Sequence, residues 1–136
     1  MTCQTDEIMT GVVVTDERPA AIDWSVLDAL KVLQRPGKPD VRSKLMTIYL
    51  TSQPALMEGI KTAVAAEDGT ALADTAHSMK SSSRNVGALV FGETCAELEQ
   101  LGRTNSLENA PALLVRAENE FAAVCSAFQE ALEQTG

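Results

Sequence analysis

The chain's only histidine lies in the stretch Ala76-His77-Ser78-Met79-Lys80-Ser81-Ser82-Ser83-Arg84-Asn85-Val86-Gly87-Ala88. In and just before this stretch, apolar or small residues recur four and three positions apart, at Leu72, Ala76, Met79, Ser83 and Val86. This is the spacing of one buried stripe on an α-helix. At about 100° per residue, His77 lies roughly 140° from the centre of the stripe. We therefore expect its imidazole to face solvent from a rigid helix.

The residues around His77 on the helix surface are small or charged. Those three and four positions away are neighbours on a helix, and they are Ala73, Asp74, Lys80 and Ser81. Arg84 follows one turn further along. An exposed nucleophile is thus expected to have small residues on its own face and cations to one side.

Composition limits the fold class and the compartment. A chain of 136 residues fits one domain, and with only 4% aromatic residues its core suits helices better than a β-sandwich. No run approaches the roughly 18 apolar residues of a membrane span, and no basic start leads into an apolar signal segment. Cys95 and Cys125 fall on apolar helical stripes and Cys3 falls in a predicted tail. We interpret Cys95 and Cys125 as reduced core thiols of a cytoplasmic protein.

The net charge of −8 argues against a nucleic-acid partner, because phosphate backbones bind to basic surfaces. A local positive spot is still predicted beside the histidine, where Lys80 and Arg84 lie.

The first half of the chain is predicted to contain a tail and two helices. Residues 1–21 lack sustained periodicity and are expected to be a flexible tail or a linker remnant, before a single domain at 22–134. A first helix, capped by Asp23, runs through Leu33 to a Pro/Gly break. A second helix, capped by Asp40, extends to about residue 66. Pro54 is expected to interrupt it, as a kink or as the first turn of a new helix.

Three more helical segments follow in the second half. A turn at 67–69 precedes the helix that carries the histidine, and Asp68 or Thr70 is expected to cap that helix. Gly87-Ala88 marks an irregularity, and the helix after it ends near Gly102. Residues 104–109 are loop-like, and Pro111 lies in the first turn of the last helix. The chain is therefore predicted to be all-α, an up-and-down antiparallel four-helix bundle with one or two short additional N-terminal helices.

From the residues alone, an exposed histidine can be a nucleophile, an acid/base group, a metal ligand or simply a surface residue. Metal binding is weakly supported, because there is no second histidine and neither Asp74 nor the cysteines complete a ligand set. Nothing in the sequence indicates a Ser-His-Asp arrangement.

The pattern around the histidine carries a further signal. Ala76-His77-x-Met79-Lys80-x-Ser82-Ser83-x-x-Val86-Gly87-Ala88 resembles the motif of histidine-containing phosphotransfer (HPt) domains, the helical relays of bacterial phosphorelays. The resemblance continues through Phe91, Cys95 and Leu98-Glu99 and covers about residues 22–133. Members often carry glycine where this chain has Ser81. Serine adds only a hydroxymethyl group, so we expect access to the imidazole to be kept.

The resemblance implies a phosphorelay intermediate in two-component signal transduction. His77 would accept a phosphoryl group from the aspartate of one receiver domain and pass it to that of another. Lys80, with Arg84 at longer range, would neutralise the phosphoryl oxygens. The receiver would dock on the face around the histidine, and its expected contacts are Thr70, Ala73, Ser81, Gly92 and Glu99.

The resemblance also implies a phosphoryl carrier, not an enzyme. The receiver would supply Mg²⁺ and most of the catalysis, so the chain would need no cofactor or metal of its own. Expected partners are response regulator receiver domains, with a hybrid sensor histidine kinase as a further candidate, and without nucleic acid or membrane contact by this domain. The alternative is a helical regulatory module that docks a receiver or an enzyme with little phosphotransfer.

Overall fold

The computed structural model describes residues 22–30, 36–37 and 40–135 and contains no strand within them. The predicted tail at 1–21, with Cys3, and Leu33 at the predicted end of the first helix lie outside the described residues. The helices are α1 Trp24–Asp28, α2 Val41–Ala65, α3 Gly69–Asn85, α4 Leu89–Thr104 and α5 Ala110–Thr135, with a short 3₁₀ turn at Leu107–Asn109. The all-α prediction is confirmed.

The four long helices form a closed ring. α2 packs on α3, α3 on α4, α4 on α5, and α5 returns to α2. Helices that follow one another in the chain are thus neighbours in space, as the short connections require in an up-and-down bundle. The short α1 is the additional N-terminal helix, and its Asp23 N–H donates to the carbonyl oxygen of Gly87 in the α3–α4 turn at 2.8 Å. No helix in the described part of the chain is long and apolar enough to cross a bilayer.

Aspartate side chains cap three of the helices, as the sequence predicts. Asp23, Asp40 and Asp68 accept hydrogen bonds from backbone N–H groups in the first turns of α1, α2 and α3. Such caps contribute about 1 kcal/mol each to helix stability. At α3 the cap is Asp68, not the alternative Thr70.

The alternative in which Pro54 begins a new helix is wrong, because α2 is one helix of 25 residues with the proline inside it. The predicted kink at Pro54 stays a prediction. The buried residues on both sides of Pro54 stay in phase at helical spacing, and they are Met46, Tyr49, Gln53, Met57 and Ile60. Burial of this continuous stripe offsets the roughly 3 kcal/mol that an internal proline costs.

The core follows the stripe predicted on the histidine helix. Leu72, Ala76, Met79, Ser83 and Val86 are all buried. The hydroxyl groups of Tyr49 and Ser83 are joined by a 2.8 Å hydrogen bond across the α2–α3 interface. Cys95 is buried and Cys125 half-buried, both as free thiols.

Candidate functional site

The only histidine stands exposed on the outer face of α3. The His77 side chain is 54% exposed, whereas the neighbouring Ala76 and Met79 are fully buried. The exposure predicted from helical periodicity is thereby confirmed. Thr70, two turns earlier, and Ser81, one turn later, are also exposed, so access to the imidazole is open on this side.

Two glycines bring α4 unusually close to this helix. A Cβ atom added at Gly102 would lie 2.6 Å from the carbonyl oxygen of Gly69 and 2.7 Å from the backbone nitrogen of Ala73. Real Cβ atoms are essentially never found at less than 3.0 Å from such neighbours. The α4 backbone can therefore approach α3 this closely only because Gly102 has no side chain. Glu99, almost one turn before Gly102, is thereby brought beside the histidine.

Glu99 connects the histidine to two cations. His77 Nδ1 lies 3.1 Å from Glu99 Oε2, and Lys80 Nζ lies 2.7 Å from Glu99 Oε1. Arg103 Nε donates to Glu99 Oε2 at 3.0 Å, and Arg103 Nη2 contacts the same oxygen. One carboxylate thus holds the imidazole, an ammonium group and a guanidinium group together.

The carboxylate of this cluster is ionised. Although its side chain is only 8% exposed, the hydrogen bond from Lys80, followed by that from Arg103, lowers the pKa of Glu99 from 4.5 to about 2. An ionised carboxylate only accepts hydrogen bonds, so the proton in the contact with His77 lies on Nδ1. In the neutral imidazole, Nε2 then carries the lone pair.

The cluster around Glu99 has a net positive charge in an acidic protein. Lys80 and Arg103 contribute two positive charges against the single negative charge of Glu99, while the whole chain has a net charge of −8. An exposed nitrogen lone pair beside net positive charge suits attack on an anionic electrophile. Within the described ranges of the chain, no three His, Cys, Asp or Glu side chains cluster as metal ligands do.

Three residues expected on the exposed docking face are instead buried, so their assignment to an exposed face is corrected. Ala73 packs against Gly102 at the close helix approach, and Gly92 lies under the aliphatic part of Arg84. Glu99 faces α3 and binds Lys80 instead of facing solvent. For Gly92 and Glu99 the expected exposure was wrong because sequence spacing does not show which face of α4 turns towards α3. Ala73 is covered because α4 approaches α3 closely at Gly102.

Arg84 is engaged with a different carboxylate. Its Nη2 lies 2.9 Å from Glu93 Oε2, in an exposed ion pair on the α3–α4 surface. Its predicted contribution to phosphoryl binding stays a prediction.

The sequence interpretation missed Arg103 altogether. The available signal was its position four residues after Glu99, a spacing at which opposite charges meet on a helix. This pair belongs to the site only because the fold places Glu99 beside the histidine.

Comparisons with known proteins agree with this geometry. Residues 44–134 match the family model described as the Hpt domain. The fold is similar to the crystal structure of histidine-containing phosphotransfer protein B from Pseudomonas aeruginosa PAO1, with a TM-score of 0.76 and 32% sequence identity over 84% of this chain and 96% of that one. No curated protein sequence matches the chain.

Proposed function

The chain belongs to the Hpt domain family, and we propose that it is a phosphorelay intermediate in which His77 takes a phosphoryl group from the aspartate of one receiver domain and gives it to the aspartate of another. The observation that carries this proposal is the exposed imidazole whose Nδ1 is held by Glu99 at 3.1 Å. That contact leaves Nε2 as the nucleophile on the solvent side.

The transfer is balanced without a general base. The Nε2 lone pair forms the N–P bond while the bond between phosphorus and the aspartyl oxygen breaks, and the electron pair leaves with the carboxylate. The Nδ1 proton stays in place, so the phosphorylated ring carries a positive charge next to Glu99. The same charge makes the ring a good leaving group, which favours onward transfer to a second aspartate.

Lys80 supports the charge balance of this step. Its Nζ is 2.7 Å from Glu99 Oε1 and its side chain is 20% exposed. We expect it to neutralise phosphoryl oxygens on the same helix face, with Arg84 assisting at longer range. In this proposal the receiver supplies Mg²⁺, and this chain supplies the nucleophile and no cofactor.

The proposed partners are response regulator receiver domains, with a hybrid sensor histidine kinase as a candidate source of phosphoryl groups. Docking would use the exposed residues beside the histidine, including Thr70 and Ser81. We place the protein in the cytoplasm, where receiver domains work.

The test is transfer of labelled phosphate from phosphorylated receiver domains of the same genome, in the presence of Mg²⁺. Wild type is expected to acquire an acid-labile label, and His77→Gln none. Glu133→Gln, an exposed substitution on α5, is the control and should be labelled like wild type.

Equal labelling of wild type and His77→Gln would contradict the proposal. So would a wild type that no receiver labels. If that unlabelled wild type still bound a receiver, the regulatory docking module would be the better description.

A further inference from the structure

We infer that Arg103 is a positioning residue for phosphoryl transfer: together with Lys80 it fixes the Glu99 carboxylate, and thereby keeps the His77 proton on Nδ1 and the lone pair on Nε2. This inference rests on the function proposed above. It adds a residue outside the motif around the histidine, on a different helix.

The two carboxylate oxygens are held from different directions. Lys80 on α3 binds Oε1 at 2.7 Å. Arg103 on α4 binds Oε2 through Nε at 3.0 Å and also through Nη2. Oε2 is also the oxygen that contacts His77 Nδ1. Because each oxygen has its own cation, rotation of the carboxylate would break a charge-assisted hydrogen bond.

The guanidinium group is suited to this task in a way that the ammonium group is not. An ammonium group is a compact point charge that can follow a rotating carboxylate, whereas two N–H groups of a planar guanidinium fix direction as well as distance. Two N–H groups of Arg103 meet at Oε2. They fix the position of the oxygen that His77 Nδ1 contacts at 3.1 Å.

The competing explanation is that Arg103 contacts the partner directly, since its side chain is 55% exposed. The two roles differ in a reaction that needs no docking. Phosphoramidate is a small donor whose P–N bond breaks with release of ammonia as His77 Nε2 forms the new N–P bond. A positioning residue affects this reaction and the receiver reaction alike, whereas a docking residue affects only the second.

The experiment uses the full chain with Arg103→Ala and Arg103→Lys. The control is Arg116→Ala, because Arg116 is also paired four residues along a helix with a buried glutamate, Glu120, but on α5. Two quantities are measured: the Nδ1–H to Nε2–H tautomer ratio of His77 by ¹⁵N NMR, and the rates of labelling by phosphoramidate and by a receiver.

For Arg103→Ala we expect several-fold more of the Nε2–H tautomer and a roughly ten-fold slower reaction with both donors, the lower end of the loss found when a residue that orients a functional side chain is removed. Arg103→Lys should recover part of both losses, and Arg116→Ala should match wild type. An unchanged tautomer ratio and phosphoramidate rate in Arg103→Ala, with a slower receiver reaction, would overturn the inference in favour of docking. An unlabelled wild type would instead overturn the proposed function, and this inference with it.

Discussion

Replacing Gly102 with alanine is expected to push α4 away from α3 and to loosen the contact between Glu99 and His77. The added Cβ would lie 2.6 Å from the Gly69 carbonyl oxygen and 2.7 Å from the Ala73 nitrogen. Both are backbone atoms, so no side chain can rotate to make room. Ordinary contact begins near 3.4 Å, so the helices must part by about 0.8 Å, an overpacking that costs about 1–3 kcal/mol.

The helical preference of alanine over glycine returns about 1 kcal/mol. We therefore expect Gly102→Ala to lose up to about 2 kcal/mol of unfolding free energy, which for a chain of this size lowers the melting temperature by up to roughly 8 °C. Thermal and urea unfolding followed by circular dichroism measure this loss. Because the displaced segment carries Glu99, the rate of phosphoryl acceptance by His77 should fall as well.

Gly59→Ala is the matched control. A Cβ there would meet only the side chain of Thr75, at 3.3 Å, so this variant should be as stable as wild type or up to about 1 kcal/mol more stable. If Gly102→Ala proved as stable and as active as Gly59→Ala, the argument that a glycine contact sets the α3–α4 distance would be refuted.

Three further predictions concern buried polar groups. The pKa of Glu99 is lowered from 4.5 to about 2, so its contacts stabilise the fold fully above about pH 4.5 and lose this effect as the pH falls towards 2. In urea titrations, Glu99→Gln should therefore lose less stability than wild type between pH 7 and pH 3, and an equal loss would count against the ion pairs. Tyr49→Phe and Ser83→Ala each remove one partner of a buried 2.8 Å hydrogen bond and should each lower the unfolding free energy by about 1–2 kcal/mol. The double variant should lose less than the sum of the two, and additive losses would show that the two hydroxyl groups are not coupled. Burial raises the pKa of Glu120, so the contribution of Glu120 to stability falls as the pH rises above the ordinary pKa of a glutamate. Glu120→Gln, which retains an acceptor for Thr94, should be at least as stable as wild type at pH 7. A clear loss of stability in thermal unfolding at that pH would argue that the charge itself is needed.

The sequence by itself determined the features that depend on neighbours along the chain. Helical periodicity located the buried stripe of α3 and the exposed His77, because residues three and four apart share a face whatever the rest of the fold does. The helix caps were predictable for the same reason, because each capping aspartate accepts a hydrogen bond from an N–H group only two or three residues ahead. The three caps are Asp23, Asp40 and Asp68. The motif around the histidine indicated the family, which the family match confirms.

Only the tertiary structure decided how distant segments meet. The uninterrupted α2 required burial on both sides of Pro54, a gain that local preferences do not contain. Glu99 lies 22 positions after His77, and whether it faces solvent or the imidazole depends on how α4 rotates against α3. The close backbone contact between Gly69 and Gly102 brings this part of α4 against α3. The nucleophile was therefore predictable from the sequence, whereas the carboxylate and the arginine that orient it follow from the packing of two helices.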